Sequence, residues 1–502
     1  MIENLVLGAS AFGNPMVWLA LLFGTVFGYL IGAVPGLGPT LGIALLIPFT
    51  YGMDPIVSIV GLVALYAAAE YGGAISAILI NSPGTAAAVA TSWDGYALTK
   101  QGRAGEALSI SILSSGAGIL VASTLLVMTA VPLSEFALLI GPGEYFALAL
   151  LGLSLVAGLA GSSLLKGTLA MGIGLIFATV GLDVQTGVPR FTAGYFELFE
   201  GVPLVPVLLG LYALSEVLVM IEDGASAKIK GARIGGLMSL PIQTMMSARG
   251  AVLRSSFLGY VIGVIPGAGP AIASFVSYSV SRRFSKTPEL FGKGSPEGIA
   301  SSEAANNAAV AGAIAPLLAL GIPGSATAAV LIGAFMVQGV TPGPLLFTNR
   351  PEIPYTLFVS LWIGVPVMVL IGLSGARIWA RVADIPRPAI AAIVTSICFV
   401  GAYASETTLF PVFVMTAFGV LGFLLRKMQV PLAPIILGLV LGEMMETNFR
   451  RALITARGDI AIFYTSPMTM ILLVTAVLVL VLPAVSSIRS RADKDRSRPP
   501  EQ

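Results

Sequence analysis

Histidine is absent from the 502 residues, and cysteine occurs once, at Cys398. Without imidazole there is no His metal ligand, no His general base and no His proton relay. A single cysteine excludes a disulfide within the chain, and Cys398, in the apolar run Ile390–Val400, reads as a small core hydrophobe. Charge is scarce too: Asp, Glu, Lys and Arg make up 10% of the chain, against about 25% in soluble domains. No acidic cluster has metal-site spacing, no nucleophile–base pair stands out, and no Walker-type phosphate box is visible. An enzyme is not expected, and no cofactor beyond a bound sodium ion is called for.

What fills the chain is apolar. Hydrophobic residues reach 56%, with a mean hydropathy of +0.93. Trp18–Val34, Leu108–Val131, Phe136–Ala160 and Ile462–Leu482 are examples of runs approaching or exceeding the roughly 20 residues that cross a bilayer. The expected fold is an all-α polytopic membrane protein of about 10 to 12 transmembrane helices. The runs are continuous instead of alternating, which argues against a β-barrel. Nothing near Glu3 resembles a cleaved signal peptide, and the first span itself is expected to direct insertion.

One phrase occurs twice. Gly28-Tyr29-x-x-Gly32-x-x-Pro35-Gly36-x-Gly38-Pro39 returns as Gly259-Tyr260-x-x-Gly263-x-x-Pro266-Gly267-x-Gly269-Pro270, 231 positions later throughout. A second element follows each copy: Gly73-Ala74-Ile75 before Pro83-Gly84-Thr85, then Gly312-Ala313-Ile314 before Pro323-Gly324-Ser325. Gln101-Gly102 and Gln338-Gly339 are a weaker third match. Such an ordered recurrence predicts two related halves, residues 1–221 and 257–485, joined by a polar connection and lead-in at 222–256. Residues 486–502 form a basic tail, read as disordered and cytoplasmic. Basic residues crowd the second phrase and avoid the first, which suggests that the halves are inverted, the geometry alternating access requires. By the same charge rule Arg450, Arg451 and Arg457 fall on the wrong side of the membrane.

Pro inside an apolar segment removes a backbone donor and breaks the helix. The Asn81-Ser82-Pro83-Gly84-Thr85 box and the Pro323-Gly324-Ser325 box with Thr327 therefore predict broken or re-entrant helices. A second leg starting near Thr85 or Ser325 exposes unpaired N–H groups and a positive dipole end, suited to a carboxylate. The bland alternative is a kink that lets helices pack. Pro35, Gly36, Gly38, Pro266, Gly267 and Gly269 can turn carbonyls inward, and with Thr40, Ser274, Asn306 and Asn307 they are candidate cation-binding or gating residues. Glu70, deep in its segment, joins them, since an acid inside a membrane span usually serves function. Asp94 and Glu303 read equally well as interfacial helix caps, and Glu446 as a partner of Arg450. A protonatable acid keeps proton coupling open beside sodium.

Several stretches together resemble a known family. They are Gly28–Pro39, Tyr71-Gly72-Gly73 to Trp93-Asp94-Gly95-Tyr96, Pro296-Glu297-Gly298 to Asn306-Asn307-Ala308, and Leu320–Ser325. Lys166-Gly167, Gly181-Leu182-Asp183, Gly187, Arg190-Phe191-Thr192, Pro342-Gly343-Pro344 and Leu441-Gly442-Glu443 to Arg450-Arg451-Ala452-Leu453 also fit. In this order they resemble the large membrane subunit of the tripartite tricarboxylate transporter family. The resemblance implies a multi-pass bacterial inner-membrane symporter driven by an ion gradient, usually sodium, with organic-acid substrates. It also implies two partners: a small four-span membrane subunit and a periplasmic solute-binding protein. A passive anion channel is the less favoured alternative, because interrupted helices in two related halves suit alternating access better.

Overall fold

The structure, a computed structural model, describes residues 1–159, 163–183, 185–223, 241–382 and 385–496. Side chains are described up to residue 481, apart from residues 223, 377 and 380. Lys228, Lys230 and Arg233 in the polar connection, and the last residues of the basic tail, lie outside the described residues.

Among the described residues the fold is helical apart from one two-stranded ladder, β1 (Gly181–Leu182) against β2 (Pro189–Arg190). Contacts divide the chain into two units. The first, Met1–Leu138 with Pro203–Leu424, opens with α1 (Ile2–Ser10), α2 (Pro15–Ala33), α3 (Gly38–Leu46), α4 (Pro55–Ile80), α5 (Ala88–Lys100) and α6 (Ala104–Leu138). The second unit, Leu139–Val202 with Leu425–Gln502, begins with α7 (Pro142–Leu159) and α8 (Leu164–Ala178). The chain then re-enters the first unit with α9 (Leu204–Leu208), a π-helical turn Leu209–Leu214, and α10 (Ser215–Asp223). It continues with α11 (Ile242–Val264), α12 (Gly269–Phe284), α13 (Pro296–Leu320), α14 (Ala326–Val337), α15 (Leu346–Asn349), α16 (Glu352–Val382), α17 (Arg387–Glu406) and α18 (Phe410–Lys427). The second unit closes with α19 (Ala433–Thr455), α20 (Ile462–Thr465) and α21 (Pro467–Arg496).

Nine helical stretches among the described residues are long and apolar enough to span a bilayer, with four shorter apolar helices beside them. The protein is a polytopic helical membrane protein, and the count among the described residues is below the 10 to 12 spans read from sequence. Gly38–Thr50, Leu164–Ala178 and Ala326–Val337 are apolar helices shorter than a full span. Two of the apolar runs are also divided, Phe136–Ala160 at Gly141-Pro142 and Ile462–Leu482 at Ser466-Pro467. Pro fits the first turn of a helix, so each break starts a new one.

The two innermost spans start and stop on recognisable signals. Asp54 caps α4 by accepting from the N–H groups of Ile56 and Val57, and Ser295 caps α13 by accepting from Gly298; a proline follows each cap. Asn81 and Gly321 end these helices in the left-handed conformation, at φ 57° and 71°. The N–H groups of Asn81 and Ser82 return to Ala77 and Ser76, and those of Gly321 and Ile322 return to Leu317 and Pro316. Both spans are 94% buried over their apolar windows, whereas α17 and α18 are 33% buried and keep wide apolar faces for lipid.

Small residues let these helices approach closely. An added Cβ at Gly28 would lie 2.6 Å from the Leu65 carbonyl oxygen, and one at Gly32 would lie 2.2 Å from that of Ala69. On α11, Gly259 and Gly263 meet the carbonyls of Ala305 and Ala309 in the same way, at 2.4 and 2.5 Å. The two glycines of each phrase thus approach carbonyls four residues apart, on α4 and on α13. Each phrase tyrosine ties its pair to a further helix: the Tyr29 hydroxyl donates to the Met368 carbonyl at 2.7 Å, and Tyr260 pairs with Thr129.

Candidate functional site

The Pro-Gly boxes follow α4 and α13 directly. The Gly84 N–H donates to the Gly73 carbonyl at 3.1 Å, and the Gly324 N–H to the Ala313 carbonyl at 3.4 Å. A Cβ on Gly84 would sit 1.9 Å from the Gly32 oxygen; one on Gly324 would sit 2.3 Å from the Gly263 oxygen. Only glycine fits either place. In the second half the phrase and the box are also hydrogen-bonded to each other, the Gly267 N–H donating to the Gly324 carbonyl at 3.1 Å. Gly36, Gly38, Gly267 and Gly269 have φ of 94°, 64°, 83° and 59°, so both phrases turn through the left-handed region.

Beyond each box a helix begins. Ser325 caps α14 by accepting from the Ala328 N–H at 3.1 Å. The first box is looser: α5 starts at Ala88, three residues past Thr85, whose hydroxyl accepts from the Ala88 N–H at 3.4 Å. Thr85, Ser325 and Thr327 are buried, while Ala86, two residues ahead of α5, is exposed and Ala326, the first residue of α14, is half-buried. At the start of α14 the N–H groups of Ala326 and Thr327 have no intrahelical acceptor, whereas those of Ala88 and Val89 turn back to the Thr85 and Ala86 carbonyls.

The helix that begins in each phrase reaches the helix start beyond the other phrase's box. Thr40, on α3, shares a hydrogen bond at 2.8 Å with Thr327 on α14. Ser274, on α12, donates at 2.8 Å to the carbonyl of Ala87, just ahead of α5. Tyr66 of α4 adds a third link, a 2.8 Å hydrogen bond with Ser325. Thr40, Ser325 and Thr327 therefore come together, and Tyr66, which sequence reading passed over as one aromatic among many, completes the group.

Glu70, one turn beyond Tyr66, faces the Thr85 side chain and lies in electrostatic reach of Glu303. Its backbone carbonyl accepts from the Asn306 amide at 3.4 Å. Glu70 Oε2, Asn306 Oδ1 and both side-chain polar atoms of Asn307 are buried and make no hydrogen bond. Pro35, Pro266 and Pro323 border the turns and carry no donor. Asn81 and Ser82 are engaged at the α4 terminus, where Asn81 is exposed and Ser82 half-buried.

The two acids that sequence could not rank have different roles. Asp94 is wholly buried; Oδ1 accepts from the N–H groups of Gly292, Gly294 and Ser295 at 2.7 to 2.9 Å, and Oδ2 accepts from Tyr278 at 2.8 Å. It ties down the lead-in to α13. Glu303 does not cap an interfacial helix end. It lies within α13, accepting from Thr91 at 2.5 Å and Ser115 at 2.9 Å. Its Thr91 and Ser115 partners carry no local sequence signal, because they come from α5 and α6.

In the second unit Arg450 bonds Asp183 and Glu446, each at 2.7 Å, and Arg190 reaches Glu446 at 2.6 Å and Asp183 at 3.3 Å. The Glu446–Arg450 pairing read from the helical spacing is present. Two arginines and two carboxylates balance, so the charge of Arg450 is locally compensated. Asp183 is held well below the usual carboxylate range, chiefly by the Thr186 backbone N–H and then by Arg450.

Comparisons with known proteins agree with this architecture. The family model described as "Tripartite tricarboxylate transporter TctA family" matches residues 18–437. The chain is 38% identical over 494 residues, 98% of both chains, to an Agrobacterium vitis protein described as an uncharacterized 52.8 kDa protein in the TAR-I ttuC' 3' region. A second A. vitis protein, uncharacterized and from the TAR-II ttuC' 3' region, is 38% identical over 236 residues, covering 47% of this chain and 98% of the relative. No solved structure gives a significant match. The chain belongs to the tripartite tricarboxylate transporter TctA family: it is a multi-pass inner-membrane subunit of a secondary transporter, not an enzyme.

Proposed function

We propose that this subunit imports tricarboxylates or related organic acids by sodium symport, receiving them from a periplasmic solute-binding protein and working beside a small four-span membrane subunit. The substrate carboxylate is held between the first turns of α5 and α14, at Thr85 and Ser325, with Pro83, Gly84, Pro323, Gly324 and Thr327 shaping the contact and Asn81 and Ser82 at its approach. The observation that carries this reading is the exchange between halves: Thr40 to Thr327, and Ser274 to the Ala87 carbonyl. The start of α14 is thereby tied to α3, and the start of α5 to α12, each a helix that begins within the other phrase. An anion is stabilised there by unpaired N–H groups and helix dipoles without a buried Arg or Lys. We take the two halves as an inverted repeat whose interchange of conformations provides alternating access.

The test is uptake of a labelled tricarboxylate into proteoliposomes containing the chain and both partners. Pro83→Ala and Thr85→Ala should each lose most uptake and raise the apparent KM. Near-normal uptake and KM in both variants would sink the assignment.

A further inference from the structure

Two carboxylates, Glu70 and Glu303, sit buried in the two innermost spans and interact electrostatically. Among the described residues neither ion-pairs with a Lys or Arg. Glu303 is engaged by the hydroxyls of Thr91 and Ser115, whereas Glu70 Oε2 has no donor. On the same two spans Asn306 Oδ1, both side-chain polar atoms of Asn307 and the Tyr71 hydroxyl are also buried without partners. Asn306 and Asn307 follow Glu303 by three and four positions, on the same face of α13. Tyr71 is adjacent to Glu70 in sequence and lies in electrostatic reach of Glu303. Leaving this many polar groups unsatisfied in a dry interior is unfavourable unless a ligand joins them. Uncommitted carboxyl, amide and hydroxyl oxygens are the chemistry of a hard cation. Among the described residues no group of three acidic, His or Cys side chains converges, which fits a monovalent ion better than a divalent one.

We infer that Glu70, Asn306 and Asn307 seat one desolvated alkali-metal cation, and that Glu303, positioned by Thr91 and Ser115, is the second anionic wall of that seat. This deepens the proposed symport by naming where the coupled cation binds, and it moves the site away from the glycine turns of the two phrases. Glu303 acts through its charge; Thr91 and Ser115 act by aiming it.

The experiment is equilibrium binding of radiosodium to the purified full-length chain in lipid nanodiscs, which requires neither substrate nor partner. The wild type should bind sodium saturably and melt at a higher temperature in sodium chloride than in choline chloride. Glu303→Gln and Glu70→Gln should weaken binding about tenfold or more, while Glu303→Asp, which keeps the charge, should stay within about threefold. Asn307→Ala should weaken binding as well, and it decides the matter if the glutamine variants fail to fold. No saturable binding by the wild type, or equal binding by Glu303→Gln and Glu303→Asp, overturns the inference. Radiosodium binding without carboxylate uptake by the wild type would refute the transport reading alone; uptake without binding would refute the seat alone.

Discussion

The hydroxyls of Thr40 and Thr327 share a 2.8 Å hydrogen bond across 287 positions of sequence. Thr40 follows the first glycine phrase on α3, and Thr327 is the second residue of α14, the helix after the second Pro-Gly box. The bond fastens the start of α3 to the start of α14. Thr327→Val keeps the shape and removes the hydroxyl. It should lower stability by about 1 kcal/mol, read as a lower melting temperature in detergent, and reduce uptake more than that loss explains. Unchanged uptake with a lowered melting point would confine the bond to a structural role.

The glycines of the boxes make a sharper prediction. A Cβ on Gly84 meets the Gly32 carbonyl oxygen at 1.9 Å, and helix backbone cannot give way as a flexible side chain would. Gly84→Ala and Gly324→Ala should each cost about 1–3 kcal/mol or more through overpacking, with loss of folded yield. Gly172→Ala, on α8 with nothing within 4 Å of the added Cβ, should be neutral or stabilising by about 0.5–1 kcal/mol. Thermal unfolding of the three variants checks the contrast.

Asp94 and Glu303 should separate by function. Asp94→Asn weakens charge-assisted bonds to three backbone N–H groups, each normally worth about 1.5–3 kcal/mol. It should melt earlier yet bind radiosodium with wild-type affinity when folded. A parallel fall in sodium affinity would show that the Asp94 loop and the cation seat are coupled.

The ion cluster of Asp183, Arg190, Glu446 and Arg450 predicts a pH dependence. Asp183 is depressed in the folded state, so above its unfolded value of about 3.9 the unfolded chain holds no extra proton and the stabilisation is complete. As pH falls below that value the unfolded state takes up the proton first, and the stabilisation is lost on the way down to the folded value. Asp183→Asn should therefore melt earlier than the wild type at pH 7, and the gap should close only in strong acid. A gap that is unchanged between pH 7 and pH 3 would contradict the assignment.

Some of this was legible without coordinates. Asp54-Pro55 and Ser295-Pro296 announce helix starts, and Asn81 and Gly321 sit where a left-handed terminus is needed, because caps and breaks act through neighbouring residues. The four-residue spacing of Glu446 and Arg450 foretold their pairing. Glu303 was visible as an isolated acid, but its depth and its Thr91 and Ser115 partners were not, since they come from other helices. The unequal helix starts after Thr85 and Ser325 were also hidden: one is sealed by a side-chain cap and the other passes through Ala86 and Ala87 first.

By itself the sequence determined the medium and the plan. Scarce charge and continuous apolar runs require lipid, and the duplicated phrase and boxes place breaks at matched points, because composition and local backbone chemistry act over a few residues. Tertiary structure decided which groups face one another: Thr40 with Thr327, Ser274 with the Ala87 carbonyl, and Glu70 within reach of Glu303. Those pairings depend on how closely glycine and alanine faces let helices approach. That distance is set by the packing of whole helices, and no periodicity within one segment records it.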